Sequence, residues 1–296
     1  MAAEASLAAA AAVLPPAVRF ALLRRLFRHR LFVTGVVLFG AMLVLALAAD
    51  WIAPYGPLRM QARLRFRPPG GPFLMGTDNF GRDIFSRLCF GARLSLGIGF
   101  AVVSVTGVIG TAVGLAAGFF RRLDEITMRV MDALMAFPAV MLALAIASAL
   151  GPSAANAVIA LSVVYIPRTA RIVRATVLVV REMDYVHAAR AFGGRDGWIM
   201  LRHVLPNSLA PLIVQLTFIF AYAVLSESVL SFLGVGPPPP TPTWGNMIAE
   251  GKDYIREAWW IALFPGVAIG LTVLGLNLLG DGLRDVLDPR LKVQQG

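Results

Sequence analysis

Long runs without charged residues constrain this chain most. Five of them, of 19, 27, 35, 24 and 23 residues with histidine counted as neutral, lie at 31–49, 94–120, 133–167, 203–226 and 258–280. A helix needs roughly 20 apolar residues to cross a bilayer. The third run is interrupted by Gly151-Pro152-Ser153, so we interpret it as two spans. Because the runs lack the period-two alternation of barrel strands, the sequence predicts an all-α membrane protein with six transmembrane helices.

Composition supports a membrane protein and argues against two other classes. Charged residues make up 15% of the chain, against about 25% in a typical soluble domain. The net charge of +10 could suggest nucleic acid, but the basic residues punctuate apolar runs and form no patch with interleaved aromatics. We therefore expect no nucleic-acid partner. The three histidines and the single cysteine lack metal-ligand spacing, so no metal site is expected.

Basic residues predict the orientation. With the N-terminus inside, the inner segments carry 18 lysines and arginines and the outer segments 9, which places both termini in the cytoplasm. The first outer loop opposes this trend. In it, Asp78 and Asp83 precede Arg82 and Arg87 by four residues, a spacing that favours ion pairs on a helix. We therefore expect a short helix in this loop.

The predicted organisation has five parts. Residues 1–30 form a cytoplasmic segment, and 31–53 the first transmembrane helix, which is too long for the apolar region of a signal peptide. An outer loop with a short helix covers 54–93. A membrane core of five further spans covers 94–290 and contains an inner loop at 177–206, and residues 291–296 form a tail.

Small and polar residues in the spans are candidates for helix packing or for a translocation path. Gly110, Gly114 and Gly118 recur every four residues and allow close helix approach, either within this subunit or against a second, similar one. Glu227 either faces a cavity or partner or lies at the outer interface, solvated or paired. Gln215 and Asn277 are expected to form interhelical hydrogen bonds more often than to bind a substrate.

The inner segment 185–207 has the character of a docking element. A short helix is expected to be followed by a turn at Gly193-Gly194 and by a second short helix that Pro206 ends. Trp198, Leu201 and Leu205 fall at helical spacing and could form an apolar docking face, or the segment could lie on lipid headgroups. The chain has no phosphate-binding G-x-x-x-x-G-K-[ST] loop, so another chain would have to supply any ATP-driven energy.

The same segment resembles the inner loop of permease subunits in binding-protein-dependent ABC importers. Their pattern is Glu-Ala-Ala, three residues, Gly, nine residues, Ile, one residue and Leu-Pro. The positions that match it are Ala188, Ala189, Gly193, Leu205 and Pro206. His187 stands where the family usually has Glu. His203 stands where the general pattern has Ile, although His is common there in one branch of the family.

Further motifs narrow the resemblance to the C-type permeases of the dipeptide/oligopeptide/nickel branch. One is the outer-loop stretch 76–87 with Asp78, Arg82 and Asp83. Others are 230–236, the stretch 242–247 with Trp244, and the tail-side stretch 278–290. The resemblance implies the type I importer permease fold and a multi-pass protein of the bacterial inner membrane.

The resemblance also implies partners and roles. A homologous B-type permease would share the translocation path, an external solute-binding protein would deliver a peptide or related solute, and two ATPase subunits would bind ATP and Mg²⁺. This chain would then bind no cofactor and catalyse no reaction. The loop contacting the ATPases would include Tyr185, His187, Ala188, Ala189, Gly193, Trp198, Leu201, His203, Leu205 and Pro206.

Three alternatives remain open at this stage. The same architecture could import nickel or another non-peptide solute. An ATP-independent channel or secondary transporter would favour internal repeats and broken helices, which the sequence does not clearly contain. An intramembrane hydrolase would need a nucleophile and a base together in one span, and no Ser and His are so placed.

Overall fold

The computed structural model describes residues 24–287, which are predominantly helical. Within that range there is no β-strand, only two isolated bridges in the first loop. The helices are α1 (Arg30–Leu47), α2 (Ala49–Ile52), α3 (Ile84–Phe119), α4 (Arg121–Met135), α5 (Ala139–Leu150), α6 (Ala154–Val180), α7 (Asp184–Ala191), α8 (Asp196–Ile199), α9 (Leu205–Phe232), α10 (Trp244–Gly251) and α11 (Trp260–Leu287). The expected all-α architecture is therefore confirmed.

Among residues 24–287, four helical segments are long and apolar enough to cross a membrane. They are α1, α3, the continuous run Asp196–Phe232 and α11, and a fifth is obtained if α4 and α5, bent by 91°, count together. Helix α6 has 27 residues, but its arginines at 168, 171 and 174 lower its mean hydropathy. A multi-pass membrane protein is confirmed, whereas the count of six spans and the side of the termini stay predictions. The tail 291–296 and residues 1–23 lie outside the described residues.

The first loop differs from its prediction. Helix α3 begins at Ile84, so 84–93, predicted as part of the outer loop, form the first turns of a 36-residue helix. The only helical turn of the loop in the structure is a 3-10 turn, Ala62–Leu64. The predicted helical pairing of Asp83 with Arg87 is wrong. Asp83 instead caps α3, its carboxylate accepting from the Ser86 N–H at 2.7 Å, which satisfies a donor that the helix start would otherwise leave free.

The glycine row of α3 packs against α6 of the same chain. A Cβ at Gly114 would lie 2.5 Å from the Ala170 carbonyl oxygen, and one at Gly118 would lie 2.7 Å from the Val177 Cβ. A Cβ at Gly110 would lie 2.7 Å from that of Thr169. Such close approach maximises dispersion contact where the surrounding lipid is as apolar as the side chains. Of the two interpretations of this row, the structure supports packing within the subunit.

Helix α4 is an amphipathic helix that the sequence analysis did not anticipate. Asp124 pairs with Arg174, with one N–O distance of 2.6 Å, and Asp132 accepts from Arg171 at 2.6 Å. These ion pairs attach the polar side of α4 to α6. Its apolar residues Leu123, Ile126 and Val130 are exposed in the single chain. The helix therefore presents an apolar stripe to its surroundings, as interfacial helices do.

A buried apolar cluster, called here the inner core, lies where α3, α6 and α9 meet the segment after α6. Its members are Leu115, Val173, Val177, Val180, Val186, Ile199, Val204 and Leu212. The three valines from α6 recur at four- and three-residue spacing, which places them on one helix face. Beside this cluster, Arg181 donates to the Gly118 carbonyl oxygen at 2.8 Å. The inner core thus joins the inner loop to three long helices.

The contact between α3 and α6 generates a stability prediction. Gly114→Ala places a methyl group against the α6 backbone, so we expect a loss of about 1–3 kcal/mol from overpacking. Gly97→Ala is the matched control because it lies on the same helix with nothing within 4 Å of its Cβ, and alanine there should be neutral or stabilise by up to about 1 kcal/mol. Thermal unfolding in detergent measures both variants. Equal unfolding temperatures would contradict the packing described here.

Candidate functional site

The inner element, residues 184–204, consists of two short helices joined by a tight turn. Helix α7 ends at Ala191, and Gly193 takes φ +82°, a left-handed conformation that glycine adopts without a Cβ penalty. The Gly194 N–H then bonds back to the Ala189 carbonyl oxygen at 3.0 Å. Helix α8 follows from Asp196. The predicted helix–turn–helix is therefore present.

The end of the element differs from the prediction. Pro206 does not terminate the second helix, because a π-helical turn, Met200–Val204, carries α8 directly into α9. Pro206 lies in the first turn of α9, where its missing N–H costs little. Asn207 lies in the same first turn, and its side-chain amide donates to the His203 carbonyl oxygen at 2.7 Å. The inner element and the span that follows are thus one continuous helical run.

The two sides of the inner element have opposite burial. Val186, Ile199 and Val204 are fully buried in the inner core, and Ala189 and Leu205 pack against it. On the other side, Phe192 is 93% exposed. The other exposed members of this side, called here the inner face together with Phe192, are Tyr185, Trp198 and Leu201. Ala188 and Pro206 are also exposed, while Leu205, predicted as part of the docking face, is only half-buried.

Phe192 is the residue that sequence reasoning missed at this site. It precedes the Gly193-Gly194 turn, which brings it to the tip of the element. An aromatic side chain beside a glycine turn in an otherwise polar segment was the available signal. A large exposed apolar side chain at a tip, with Trp198 and Leu201 beside it, is typical of a protein-binding surface.

The two histidines of the element occupy different surroundings. His187 is exposed, and its Nε2 lies 3.9 Å from a carboxylate oxygen of Glu182. The ring of His203 lies between Trp198 and Tyr185, with centroid distances of 4.9 and 6.1 Å. His203 therefore packs against two aromatic residues of the inner face, Tyr185 and Trp198. His187 is exposed on the surface, and the carboxylate of Glu182 lies beside it.

The polar candidates Gln215, Glu227 and Asn277 lie at separate positions on the long helices α9 and α11. Glu227 is fully buried, with Ser231 donating to its Oε1 at 2.6 Å, and its Oε2 has no hydrogen-bond partner among the residues the structure describes. Glu227 is therefore not solvated within this chain, and its hydrogen bond to Ser231 fits the interpretation of a paired acid as well as that of an acid facing a cavity or partner. Gln215 on α9 and Asn277 on α11 are half-buried.

A buried charge cluster joins the first loop to α3 and α10. The Asp78 carboxylate accepts from Arg82 Nε at 2.5 Å and from Arg87 Nη1 at 2.6 Å. Glu250 on α10 accepts from the same two arginines at 2.5 and 2.6 Å. Asp78, Arg82 and Arg87 are almost completely buried. Each arginine is thereby neutralised by two carboxylates, as buried charges require.

Trp244 lies close to this charge cluster along α10. Its indole N–H donates to the Leu88 carbonyl oxygen at 3.2 Å, and the side chain is fully buried between α10 and α3. The sequence analysis identified Asp78, Arg82 and Trp244 in outer loops but not Arg87 and Glu250 as their partners. The charge cluster and Trp244 therefore together attach the first loop and α10 to α3. Within residues 24–287, no group of three or more His, Cys, Asp or Glu side chains is arranged to hold a metal ion.

Comparison with known proteins matches most of the chain to one family. Residues 108–293 match the family described as binding-protein-dependent transport system inner membrane component. Residues 21–69 match the N-terminal TM domain of oligopeptide transport permease C.

Individual relatives cover nearly the whole chain. A provisionally named peptide transport system permease protein of Brucella abortus biovar 1 is 55% identical over 271 residues, 92% of each chain. The di/tripeptide transport system permease protein DppC of Pseudomonas aeruginosa is 46% identical over 274 residues, 90% of each chain. The dipeptide transport system permease protein DppC of Escherichia coli K12 is 46% identical over 272 residues, 90% of this chain and 91% of that protein.

The apolar spans and the exposed inner element define a multi-pass permease of the inner membrane. The chain belongs to the family of inner-membrane components of binding-protein-dependent transport systems, among the C-type permeases of ABC importers. The resemblance identified from its motifs is thereby confirmed.

The charge cluster generates a second stability prediction. Asp78→Ala leaves two buried arginines with Glu250 alone, and breaking a buried ion pair costs about 3–5 kcal/mol. Asp50→Ala is the matched control, because it removes an acid whose pair with Arg93 is exposed, and such pairs contribute about 1 kcal/mol or less. We expect a large fall in unfolding temperature for the first variant and little change for the second. Similar values for both would show that the cluster contributes no more than a surface pair.

Proposed function

We propose that this chain is one of two permease subunits of an ATP-driven peptide importer. A homologous B-type permease forms the translocation path with it, and two ATPase subunits, which bind ATP and Mg²⁺, dock on the inner face. An external binding protein delivers the peptide. This chain itself catalyses no reaction and binds no cofactor.

The proposed topology has six spans, with both termini in the cytoplasm. Helices α1, α3, α9 and α11 supply four spans, the bent pair α4–α5 supplies a fifth through its apolar part α5, and α6 supplies the sixth despite its arginines. The excess of basic residues on the proposed inner side supports this orientation. It places the inner element and α4 on the cytoplasmic side, and the charge cluster and Trp244 outside.

One observation carries the proposal: the inner element joins an exposed apolar face to a continuous helical run. A protein that displaces Phe192 or Trp198 must also move Ile199 and Val204, which are locked into the inner core. Because the run Asp196–Phe232 has no break, the displacement passes into α9. Packed interiors resist deformation, so the motion transmitted is that of a rigid body.

Peptides are the substrate class that the relatives favour. The three relatives described above are named for peptide, di/tripeptide and dipeptide transport, and none of them for nickel. The alternatives of a nickel importer or an ATP-independent channel have no comparable support. ATP-dependent uptake of small peptides by the reconstituted assembly tests this assignment.

The inner face generates a binding prediction. Phe192→Ala removes an exposed aromatic side chain that makes little contact within this chain, so folding should be unaffected while the ATPase subunits dissociate during purification. Truncating an interface anchor typically costs about 2 kcal/mol or more, a loss of affinity of at least about 30-fold. Trp51→Ala, at an 86% exposed aromatic beyond α1, is the control and should retain the ATPases. Full ATPase retention by Phe192→Ala would contradict the docking surface.

The turn generates a coupling prediction. Gly193→Val forces a β-branched residue into a left-handed conformation, at a cost of about 1–2 kcal/mol or more, and should reorient the tip. Gly197→Val is the control: neither glycine has any atom within 4 Å of a Cβ, but Gly197 has no positive φ. We expect ATP-dependent peptide uptake to fall about tenfold only in the first variant. Equal uptake by both variants would show that the turn conformation is irrelevant to coupling.

A further inference from the structure

Arg168 is the one arginine of α6 that forms no ion pair within the described part of the chain. Arg171 and Arg174, one and two turns further along, pair with Asp132 and Asp124 of α4. The guanidinium of Arg168 instead lies between two tyrosine rings, 5.6 Å from the centroid of Tyr165 and 5.5 Å from that of Tyr222 on α9. Aromatic faces attract a cation at such distances but leave its N–H groups free to donate at the edge.

The guanidinium lies deep in the membrane-spanning part of the protein. Tyr222 comes 17 residues after the start of α9 and 10 before its end, which corresponds to about 26 Å and 15 Å along the helix. The side chain of Arg168 points towards Tyr165, one turn back along α6, and so away from the cytoplasmic end. It therefore does not extend to the inner headgroups, as arginines near a span end commonly do.

A charge at this depth needs an anionic or aqueous neighbour. An unpaired arginine facing hydrocarbon is costly, and charged residues in spans mark water-filled cavities and substrate paths. Tyr222 is 49% exposed in the single chain, so the group is open on one side. On the closed side, Tyr165 is buried and its hydroxyl hydrogen-bonds to Ser226 at 2.7 Å, which fixes the ring. The site is thus fixed on the Tyr165 side and accessible from outside this chain on the Tyr222 side.

We propose that Arg168, held between Tyr165 and Tyr222, lines the translocation path and binds the C-terminal carboxylate of a peptide in transit. The inference rests on the proposed function, because a linear peptide with a free C-terminus carries this group. A guanidinium donates two parallel hydrogen bonds to a carboxylate, and the bond is stronger in a partly dehydrated path than in water. Exposure on one side lets the carboxylate arrive and leave.

The first test compares variants in the complete assembly, reconstituted with its partner permease, ATPases and binding protein. Radiolabelled peptides of two to five residues report ATP-dependent uptake. Arg168→Gln should lower uptake by about tenfold or more, as expected for the loss of a charge-assisted hydrogen bond, and Arg168→Lys should lower it less. Arg171→Gln, which removes an exposed pair on the same helix, is the control and should change uptake less than about threefold.

The outcomes separate this inference from the proposed function. Uptake by the unaltered assembly together with normal uptake by Arg168→Gln overturns the inference alone. No uptake of any peptide by the unaltered assembly overturns the proposed function and the inference with it. If the Arg168→Gln variant loses the partner permease during purification, then Arg168 pairs with an acidic side chain of that permease and not with a peptide. The inference is then wrong.

A second measurement detects the peptide at the site directly. The photoreactive substitution Tyr222→p-benzoylphenylalanine should crosslink a radiolabelled peptide to this chain during turnover, and adding Arg168→Gln should abolish the label. Crosslinks to the partner permease with no label from the peptide would overturn the proposal.

Discussion

The valine-rich inner core is the contact on which the rest of this structure depends. Val173 and Val177 of α6 belong to the same buried cluster as Val186 and Ile199 of the inner element, and none of the four is more than 1% exposed. Without this contact, the inner element would be a surface loop, and a partner bound to Phe192 would move that loop alone. With it, the exposed inner face belongs to the same rigid unit as α6 and α9. A docking event can therefore act on the spans.

Features that depend on local sequence were predictable. The two local predictions that were wrong, at Pro206 and at Asp83, have physical causes. Uncharged runs define the helices, and the Gly193-Gly194 turn locates the inner element, because hydrocarbon excludes charge and a left-handed turn requires glycine. Pro206 was wrongly predicted to end a helix. Proline in the first turn of a helix costs little, and a π-helical turn makes the helix continuous at this point. Asp83 was wrongly predicted to pair with Arg87, because its carboxylate caps α3 instead.

Long-range pairings were beyond sequence reasoning. Glu250 lies 163 residues from Arg87, and Tyr222 lies far along the chain from Arg168, so no spacing rule connects them. Both arrangements follow one principle, that buried charge must be compensated. In the cluster of Asp78, Arg82, Arg87 and Glu250, two carboxylates compensate two arginines within this chain. At Arg168 no carboxylate among the described residues compensates the charge, and this difference is the reason for proposing a binding role there.

The most direct test of the central claim, rigid coupling of the inner face to α9, is a distance measured during turnover. Spin labels at Arg202 and Leu225 lie on exposed positions of one helical run and outside the inner face, and the single cysteine, Cys89, is buried and does not compete for label. Pulsed electron resonance on the ATPase-bound assembly should give one narrow distance, unchanged between the resting and vanadate-trapped states. A shift of about 5 Å or more, one helical turn, would show that the run bends and that the inner element moves independently.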